Sequence, residues 1–370
     1  MKRLALTLLA IIVATVAWLA LSPSPLHPVA WVSSPSSGYT GAYAPNARLA
    51  SPTLISLGAD VAPEHIVLGR DGLLYASVAG GRILRLQPDG SAPQLFATTG
   101  GRVLGLDFDS AGNLIAADVF RGLLSITPQG TVSVLADSVD GTLIGFADAV
   151  IVARNGRIYF SDASTRFTTA SLGAAFDTEA AAILDIVEHS ATGRILEFDP
   201  ATQRVRVVAR GLCFANGVAL STDQQSLLVA ETGASRIWKI AVRASNLDVS
   251  TASPLASVLL DQLPGMPDNL MRGLDGRIWV GLPEPRSPFL DTFAAWPMIR
   301  KIALRLPEAL RPKGTPYGHA LAFTEDGQVV DDLQDFSGAF PKVTSITETR
   351  DRLYLQTLNH RGLGWLRNTR

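Results

Sequence analysis

The sequence predicts an all-β protein: a six-bladed β-propeller with an N-terminal transmembrane helix and helical inserts over one face. Three observations lead to this fold. One turn–strand–turn–strand pattern recurs six times after residue 50, apolar residues at helical spacing interrupt two of the copies, and an uncharged apolar run opens the chain. The chain has 370 residues, 47% of them hydrophobic, and large all-β folds of this size occur as one domain.

The repeated pattern is the main evidence for the blades. It is clearest in RDGLLYASVAGGRILRLQPDG at residues 70–90 and in SAGNLIAADVFRGLLSITPQG at residues 110–130, and the other copies begin at residues 154, 223, 274 and 350. Strand positions carry β-branched, aromatic or Leu residues, and the turns carry Asp-Gly, Asn-Gly or Gly-Asn. One such hairpin cannot bury its faces alone, so six copies indicate propeller blades. A β-sandwich, the alternative, does not require one pattern six times.

Two copies are interrupted between their strands. Residues 168–191 contain DTEAAAILDIVEH, in which apolar residues recur at helical spacing, and residues 286–316 contain the basic amphipathic stretch FAAWPMIRKIALRLPEALRPK. Helices inserted between blade strands must lie over one face of the propeller. They either cap exposed strand ends or form a lid on a pocket, and as a lid the second insert has apolar side chains that could also touch a membrane.

The N-terminus predicts a membrane anchor. Lys2 and Arg3 precede Leu4–Leu21, which is 18 residues without a charge. A helix of that length spans about 27 Å, close to the thickness of a bilayer core. The two basic residues predict a cytoplasmic N-terminus and a propeller on the non-cytoplasmic side. A cleaved signal peptide, which would release a secreted protein, is the competing interpretation, but no clear A-x-A cleavage pattern follows the run.

The predicted domains follow from these features. Residues 1–22 form the membrane anchor or signal peptide, the Pro-, Ser- and Gly-rich residues 23–49 form a spacer, and residues 50–370 form the propeller. The net charge of −1 gives no indication of a nucleic-acid partner. The single cysteine excludes an internal disulfide, and together with only five histidines it argues against a structural zinc site.

Polar residues precede the strand units at a constant interval. Glu64, Asp148, Asn216 and Asp268 each lie eight residues before a turn position, and Asn269 follows directly after the last of them. Equivalent positions in successive blades fall on one ring around the propeller axis, so we expect these side chains to meet at the mouth of the central channel. The alternative is that each residue only starts a turn.

Such a ring favours a divalent cation. Clustered buried carboxylates repel one another and lose solvation, and a hard cation relieves both costs. A ligand set made only of oxygen atoms favours calcium, although magnesium or manganese is compatible. We therefore expect one calcium ion to be shared by Glu64, Asp148, Asn216, Asp268 and Asn269.

Several segments together resemble the strictosidine synthase-like proteins. The segments are ADVFRGLL, RIYFSDAS, ATGRILEFDP, FANGVALSTDQQSLLVAETGASRI and GMPDNLMRGLDGRIWVGL. This family belongs to a superfamily of six-bladed propellers that includes gluconolactonases and paraoxonases. The adipocyte plasma membrane-associated proteins, which are anchored N-terminally, are similar as well. The resemblance covers roughly residues 50–370.

The resemblance implies a central calcium ion held by a Glu of the first blade, two Asn and an Asp-containing pair. The matching residues here are Glu64, Asn216, Asp268 and Asn269. The sequence departs from the family at blade three, where the Asn-Asp motif reads Ala147-Asp148. Paraoxonases also use a histidine dyad near the metal, and GRVLGLDFD contains no matching histidine.

The resemblance also separates the possible reactions. Plant strictosidine synthases use a catalytic glutamate just ahead of the final blade's strand, and here Thr344 occupies that position, with Glu348 four residues on. This departure disfavours a synthase-like lyase. It favours a membrane-anchored, calcium-dependent hydrolase of small hydrophobic esters or lactones, like an arylesterase or lactonase, in which Asp268 activates water. A non-catalytic, membrane-tethered binding propeller is the alternative that Ala147 supports.

Overall fold

The blades follow one another along the chain in the order that the repeat predicts. The structure is a computed structural model that describes residues 2–36, 38–311, 314 and 316–369. It confirms the all-β six-bladed propeller: six sheets, each built around four antiparallel strands, form a ring. The first strand, β1 (Thr53–Ser56), precedes blade 1 in the sequence but belongs to the last blade.

The first three blades contain the strands up to residue 212. Blade 1 consists of β2 (His65–Leu68), β3 (Leu74–Val78), β4 (Arg82–Leu86) and β5 (Gln94–Thr98). Blade 2 consists of β6 (Val103–Phe108), β7 (Leu114–Asp118), β8 (Gly122–Ile126) and β9 (Val132–Ala136). A short hairpin of β10 (Ser138–Val139) and β11 (Thr142–Leu143) precedes blade 3. Blade 3 consists of β12 (Ala147–Val152), β13 (Ile158–Asp162), β14 (Gly193–Asp199) and β15 (Arg204–Leu212).

The last three blades complete the ring. Blade 4 consists of β16 (Ala215–Leu220), β17 (Ser226–Glu231), β18 (Arg236–Ala241) and β20 (Ala256–Leu260). The short strand β19 (Leu247–Asp248) precedes β20 and pairs in parallel with β15 of blade 3. Blade 5 consists of β22 (Leu270–Arg272), β23 (Ile278–Gly281), β25 (Gly318–Phe323) and β26 (Val329–Asp335). Beside it, β21 (Gly265–Met266) and β24 (Glu284–Pro285) pair as a separate two-stranded sheet. Blade 6 consists of β27 (Val343–Glu348), β28 (Arg352–Thr357) and β29 (Gly362–Arg367).

An N-terminal strand closes the ring. β1 pairs in antiparallel register with β29, so that Ile55 lies opposite Leu363. Blade 6 is therefore completed by residues from the other end of the propeller sequence. This pairing covers a sheet edge that would otherwise expose unpaired backbone groups, and it ties the first and last blades together.

The hydrophobic core lies between neighbouring blades. Ile158 and Phe160 of blade 3, for example, pack against Ile115 and Leu123 of blade 2. Trp279, on the inner hairpin of blade 5, is 0% exposed. Because each blade buries its faces against the next, the blades are stable only as a ring, which is why one hairpin pattern had to be repeated.

The chain begins with a helix, α1 (Lys2–Leu21). Among the residues that the structure describes, no helix is both long enough and apolar enough to cross a membrane. The membrane anchor, its orientation and the alternative of a cleaved signal peptide remain predictions.

Both predicted inserts contain helices. Between β13 and β14 lie α2 (Thr169–Leu172) and α3 (Thr178–Glu188), and between β23 and β25 lie α4 (Pro288–Thr292) and α5 (Pro297–Ala303). The second insert thus contains two short helices, and α5 lies within the predicted amphipathic stretch. The interruption has a local cause: Pro297 lacks the N–H of a helix interior and stands at the first turn of α5. We call α3, α4 and α5 the roof, because they cover one end of the central channel.

The predicted spacer lies against this roof. Leu26 is 2% exposed and packs in the same apolar cluster as the roof helices. The Val29 N–H donates to the carbonyl of Glu188 at 2.8 Å, and the Trp31 N–H donates to the carbonyl of Ala294 at 3.3 Å. These contacts connect the segment before the propeller to both inserts.

Candidate active site

Residues at one repeated position near the innermost strand of the blades form the base of a cavity. When the eight-residue offset is applied to all six blades, it selects Glu64, Leu104, Asp148, Asn216, Asp268 and Thr344. All six are between 0% and 5% exposed. Five of them line one cavity of about 840 Å³, namely Glu64, Leu104, Asp148, Asn216 and Asp268. The structure therefore brings together the four polar ring residues that the sequence singled out.

Irregularities in the strands direct two of these side chains. The pairing of β12 with β13 shifts between Ala147 and Val150, and the pairing of β16 with β17 shifts just after Ala215. A β-bulge leaves residues out of the ladder and redirects their side chains. Asp148 and Asn216 lie within these two bulges, and both face the cavity.

The position at which the sequence departs from the family's Asn-Asp motif faces the core. Ala147 is 0% exposed and packs with Val150 and Phe160 between blades 2 and 3. Its neighbour Asp148 supplies the polar group that blade 3 contributes to the cavity wall. The departure at Ala147 thus leaves a cavity-facing carboxylate in place.

Glu64 is paired with an arginine. The Arg102 guanidinium makes an ion pair with the Glu64 carboxylate, and the two side chains are 14% and 5% exposed. Burial raises the pKa of Glu64, and the charge and hydrogen bond of Arg102 oppose that rise. Arg102 also lines the cavity, so its positive charge lies among the polar ring residues.

The other two carboxylates of the ring lie in a strongly unfavourable environment for charge. Burial, followed by the negative charges of Asp268 and Glu64, raises the pKa of Asp148 well above its usual range. Burial and the charge of Glu64 likewise raise the pKa of Asp268 well above its usual range. These directions are those expected of neighbouring buried carboxylates, because the charge of each disfavours the ionisation of the next.

Asn216 connects the ring residues of two blades. Its side chain lies close enough to Asp268 to lower the pKa of that carboxylate and so to favour its charged form. Its amide oxygen, Oδ1, is buried and has no hydrogen-bond partner. Asn216 therefore lies beside a ring carboxylate and presents its amide oxygen as a free acceptor.

Asn269 and Thr344 lie beside Glu64 rather than in the cavity wall. The Asn269 side-chain N–H donates to the backbone carbonyl of Glu64 at 3.4 Å, and the Thr344 hydroxyl donates to the same carbonyl at 2.8 Å. Both residues are 0% exposed. Glu348 lies elsewhere: it accepts a hydrogen bond from the Trp279 indole N–H at 2.8 Å, outside the set of cavity-lining residues.

The oxygen atoms of the ring fit a hard cation. Oδ1 of Asp148, Asn216 and Asn269 are buried and lack hydrogen-bond partners, which costs free energy unless something else satisfies them. Among the described residues, no group of three or more His, Cys, Asp or Glu side chains is arranged to hold a metal. The predicted set of Glu64 with Asn216 and its neighbours combines carboxylate and amide oxygens, both of which calcium accepts as ligands.

Apolar side chains form the upper part of the cavity. They come from the inner ends of the blades and from the three roof helices: Leu104, Phe146, Phe214, Met266, Ile183, Ile186, Val187, Phe289, Leu290, Ala303 and Leu304. The polar ring residues thus lie beneath a mostly apolar chamber. A cavity of this kind fits a ligand that has an apolar body and one polar group.

Charged residues lie at the rim of the cavity and connect the roof to two blades. Lys342, at the start of blade 6, pairs with Glu179 of α3 and lies 3.4 Å from Glu284 of blade 5. All three residues line the cavity. They hold one end of the roof by ion pairs.

Sequence reasoning missed Arg102 and the rim charges. The eight-residue offset would have found Leu104 in blade 2, because it applies there as in the other blades. It could not find Arg102, which lies two residues before that ring position and reaches Glu64 from the neighbouring blade. No spacing rule within one blade reports a contact between two blades.

The site and fold define a class of protein: a six-bladed propeller with buried carboxylate and amide groups at one end of its central channel. A family model described as strictosidine synthase matches residues 148–245, and one described as strictosidine synthase-like, N-terminal, matches residues 41–86. The chain belongs to the strictosidine synthase-like family.

Two relatives illustrate this relationship. The strictosidine synthase-like 7 protein of Arabidopsis thaliana is 33% identical over 274 residues, which cover 72% of this chain and 67% of that protein. The adipocyte plasma membrane-associated protein of Salmo salar is 30% identical over 361 residues, which cover 90% of this chain and 82% of that protein.

Solved structures share the fold at much lower identity. A gluconolactonase from Xanthomonas campestris is 19% identical, with a TM-score of 0.59 and coverage of 94% of this chain and 99% of that chain. Regucalcin, a calcium-binding protein from Agrobacterium tumefaciens, is 13% identical, with a TM-score of 0.51 and coverage of 84% and 93%. At these identities the likeness is one of fold.

Proposed function

We propose that the protein hydrolyses small hydrophobic esters or lactones in this cavity and uses a divalent cation, expected to be calcium. The observation that carries the proposal is the free amide oxygen of Asn216 beside two buried carboxylates, Asp148 and Asp268, beneath an apolar chamber. A gluconolactonase and a calcium-binding protein among the structures of the same fold support the reaction class and the cation.

The cation would be held by oxygen atoms of the ring residues. Glu64, Asn216 and Asp268 would supply the central ligands, with Asp148 and Asn269 as the further oxygen donors that lack partners. When bound, calcium would polarise the acyl carbonyl and stabilise the oxyanion that forms from it. Its charge would also offset the mutual repulsion of the buried carboxylates.

Asp268 is the best candidate for the general base. Its side chain lines the cavity, and Asn216 and the Asn269 backbone beside it favour its charged form. Its carboxylate takes a proton from water, the water oxygen attacks the acyl carbon, and the proton passes to the leaving oxygen as the acyl C–O bond breaks. In a lactone the leaving oxygen stays attached to the product.

The apolar chamber selects the substrate. Phe146 and Phe214 of the blade ends line the cavity together with Ile186 of α3 and Leu290 of α4. These side chains exclude water and bind an apolar acyl or alcohol group. A hydrophobic ester or lactone therefore fits better than a sugar with many hydroxyl groups, which would leave its hydrogen bonds unmade.

A synthase-like lyase is less well supported. The Thr344 hydroxyl donates to the Glu64 carbonyl and provides no acid at the position where the family resemblance implies a catalytic glutamate. A non-catalytic binding propeller has one observation in its favour: Glu64, the expected first-blade ligand, is already paired with Arg102.

We also propose that Leu4–Leu21 anchors the protein in a membrane, with the N-terminus cytoplasmic and the propeller on the other side. Lys2 and Arg3 support that orientation. Mass spectrometry of the native chain tests it, because a mature N-terminus near residue 23 would instead indicate a secreted protein released by a signal peptidase.

Turnover of a phenyl ester and of an aliphatic lactone by the full chain tests the hydrolase. We expect turnover to stop with a chelator, to return with calcium, and to fall at least about 100-fold in Asp268→Asn. Asp223→Asn, which changes an exposed turn carboxylate of blade 4, is the matched control and should keep wild-type rates. Turnover that survives both the chelator and Asp268→Asn would refute the proposal, and absence of turnover with normal calcium binding would favour the binding propeller.

A further inference from the structure

We infer that Arg102 is a built-in competitor for the metal at Glu64 and that it sets the affinity of the site for a divalent cation. The inference concerns a residue outside the expected ligand set, and it rests on the proposed metal site. It separates two properties of the same cavity: which atoms can bind a cation, and how tightly they do so.

The ion pair links two blades at the cavity base. Glu64 comes from blade 1, and its backbone N–H donates to the carbonyl of Ser77 at 3.2 Å. Arg102 comes from blade 2, and its backbone N–H donates to the Asp118 carboxylate at 3.2 Å, while its carbonyl accepts from Val119 at 2.9 Å. Both partners are therefore held by their own blades, and the side chains meet across the gap.

One part of the guanidinium remains unused. Nη2 of Arg102 contacts the Glu64 carboxylate, whereas Nη1 is buried and has no hydrogen-bond partner. Arg102 thus provides a partner for the Glu64 carboxylate, while its own Nη1 has no hydrogen-bond partner. A guanidinium in such a position gains most of its stabilisation from the charge of Glu64, which is the same charge that a metal would use.

Competition follows from charge and reach. A cation bound by Glu64 lies beside the guanidinium, because the same carboxylate contacts both. Two positive charges a few ångströms apart among buried side chains repel strongly. Arginine cannot escape by losing its proton, since its pKa stays above the physiological range in proteins. The metal must therefore either displace Arg102 from Glu64 or bind while the positive charge of Arg102 repels it.

The positive charge of Arg102 also acts on a second ring carboxylate, that of Asp148. The charge of Arg102 lowers the pKa of Asp148, in opposition to burial and to the charges of Asp268 and Glu64. Arg102 lines the same cavity as Asp148 and pairs with Glu64, so its positive charge lies among the ring carboxylates. Without a metal, this charge reduces the repulsion among those carboxylates.

The test is calcium affinity, measured by titration calorimetry on the full chain and by the calcium-induced rise of the melting temperature. Arg102→Met removes the charge and keeps most of the apolar stem. We expect calcium affinity to rise by about 10- to 100-fold and the calcium-induced shift of the melting temperature to increase. Arg121→Met is the matched control: it removes one positive charge from the same blade, at a residue that donates to the Thr99 carbonyl outside the cavity, and should leave both values at wild type.

A second variant covers the case in which Arg102→Met does not fold. That variant leaves Glu64 buried without a partner when no metal is present. Arg102→Gln keeps a hydrogen-bond donor for the carboxylate and removes the charge, so it should fold and still bind calcium at least about 10-fold more tightly than the wild type does.

The outcomes distinguish this inference from the proposed function. Equal affinity in the wild type and both Arg102 variants would overturn the competition and leave the calcium-dependent hydrolase standing. Calcium binding by the variants but not by the wild type would uphold the competition and refute calcium dependence of the natural protein. Absence of binding in all of them would refute both.

Discussion

Asn216 of blade 4 lies beside Asp268 of blade 5, where it favours the charged form of that carboxylate, and leaves its own amide oxygen buried without a partner. The first contact would suffice for a structural residue. The unpartnered amide oxygen costs free energy, because a buried acceptor without a donor destabilises the fold. The pair therefore supports the proposal that Asn216 binds a ligand in addition to any structural role.

Asn216→Asp separates these two roles. Asp can form the same local backbone structure, so a residue with only a turn function should tolerate the change. In a metal site the added negative charge meets Asp148 and Asp268, so we expect altered calcium affinity and at least about 10-fold slower ester turnover. Calorimetry and an ester assay measure the two effects. Wild-type values for both, with an intact fold, would show that Asn216 binds nothing.

Gly217 should be irreplaceable for a backbone reason. A Cβ added there would lie 2.4 Å from the carbonyl oxygen of Asp268 and 2.4 Å from the nitrogen of Leu270, both backbone atoms of the next blade. We expect Gly217→Ala to destabilise the protein by about 2 kcal/mol or more, because blades 4 and 5 must separate. Denaturant unfolding gives the value.

Gly100→Ala is the comparison for that variant. Gly100 has φ +77° and nothing within 4 Å of an added Cβ, so the change should cost only the local backbone strain, about 1 kcal/mol. If Gly217→Ala costs no more than Gly100→Ala, the close approach of the two blades at Gly217 does not constrain the ring.

Trp31 should stabilise the roof from outside the propeller. Its ring stacks on His189 at a centroid distance of 3.9 Å, and the Arg300 guanidinium lies 4.2 Å from its centroid. We expect Trp31→Ala to lower the free energy of unfolding by about 1–3 kcal/mol and to speed hydrogen exchange near residue 189. Trp296→Ala, which changes a roof tryptophan that is 62% exposed, should do neither. Identical behaviour of the two variants would contradict this role.

Asp185 should make the protein less stable as the pH rises. Burial raises its pKa to about 7, although the Ser164 hydroxyl opposes the rise. The folded chain therefore holds a proton that the unfolded chain releases near pH 4, and the stability this proton contributes is lost as the pH rises from about 4 to about 7. Asp185→Asn removes the effect. As the pH rises over that range, the free energy of unfolding of the variant should therefore increase by a few kcal/mol relative to that of the wild type.

The comparison with Asp185→Asn is needed because a second group acts in the opposite sense. Burial lowers the pKa of His189 to about 4, so this residue makes the protein more stable as the pH rises toward about 6.5. His189 is present in both chains, so the difference between their profiles isolates Asp185. Urea unfolding at several pH values checks this, and parallel profiles would exclude the titration.

The repeat in the sequence was sufficient for the architecture. Turn pairs such as Asp71-Gly72 and Asn155-Gly156 stand where the structure turns, with both glycines at positive φ. Strand residues between them are buried as the pattern requires. This succeeds because hairpin turns and strand faces depend on neighbours in sequence, and those are visible without a structure.

The ring of polar residues was predictable for a similar reason. A constant offset of eight residues places Glu64, Asp148, Asn216 and Asp268 at equivalent points of successive blades, and symmetry brings equivalent points together. Their roles as metal ligands remain predictions, because position on the ring does not establish what binds there.

The tertiary structure alone decided three features. Arg102 meets Glu64 across two blades, the segment around Trp31 joins the two inserts, and the bulge in β12 turns Asp148 into the cavity while Ala147 packs in the core. Each depends on contacts between residues that are distant in sequence or on the register of one strand against another. The sequence by itself determined the blades and the ring positions, because local periodicity encodes them. The partners of the ring and the covering of the cavity were decided by packing, because long-range contacts and a one-residue shift in register leave no periodic signal.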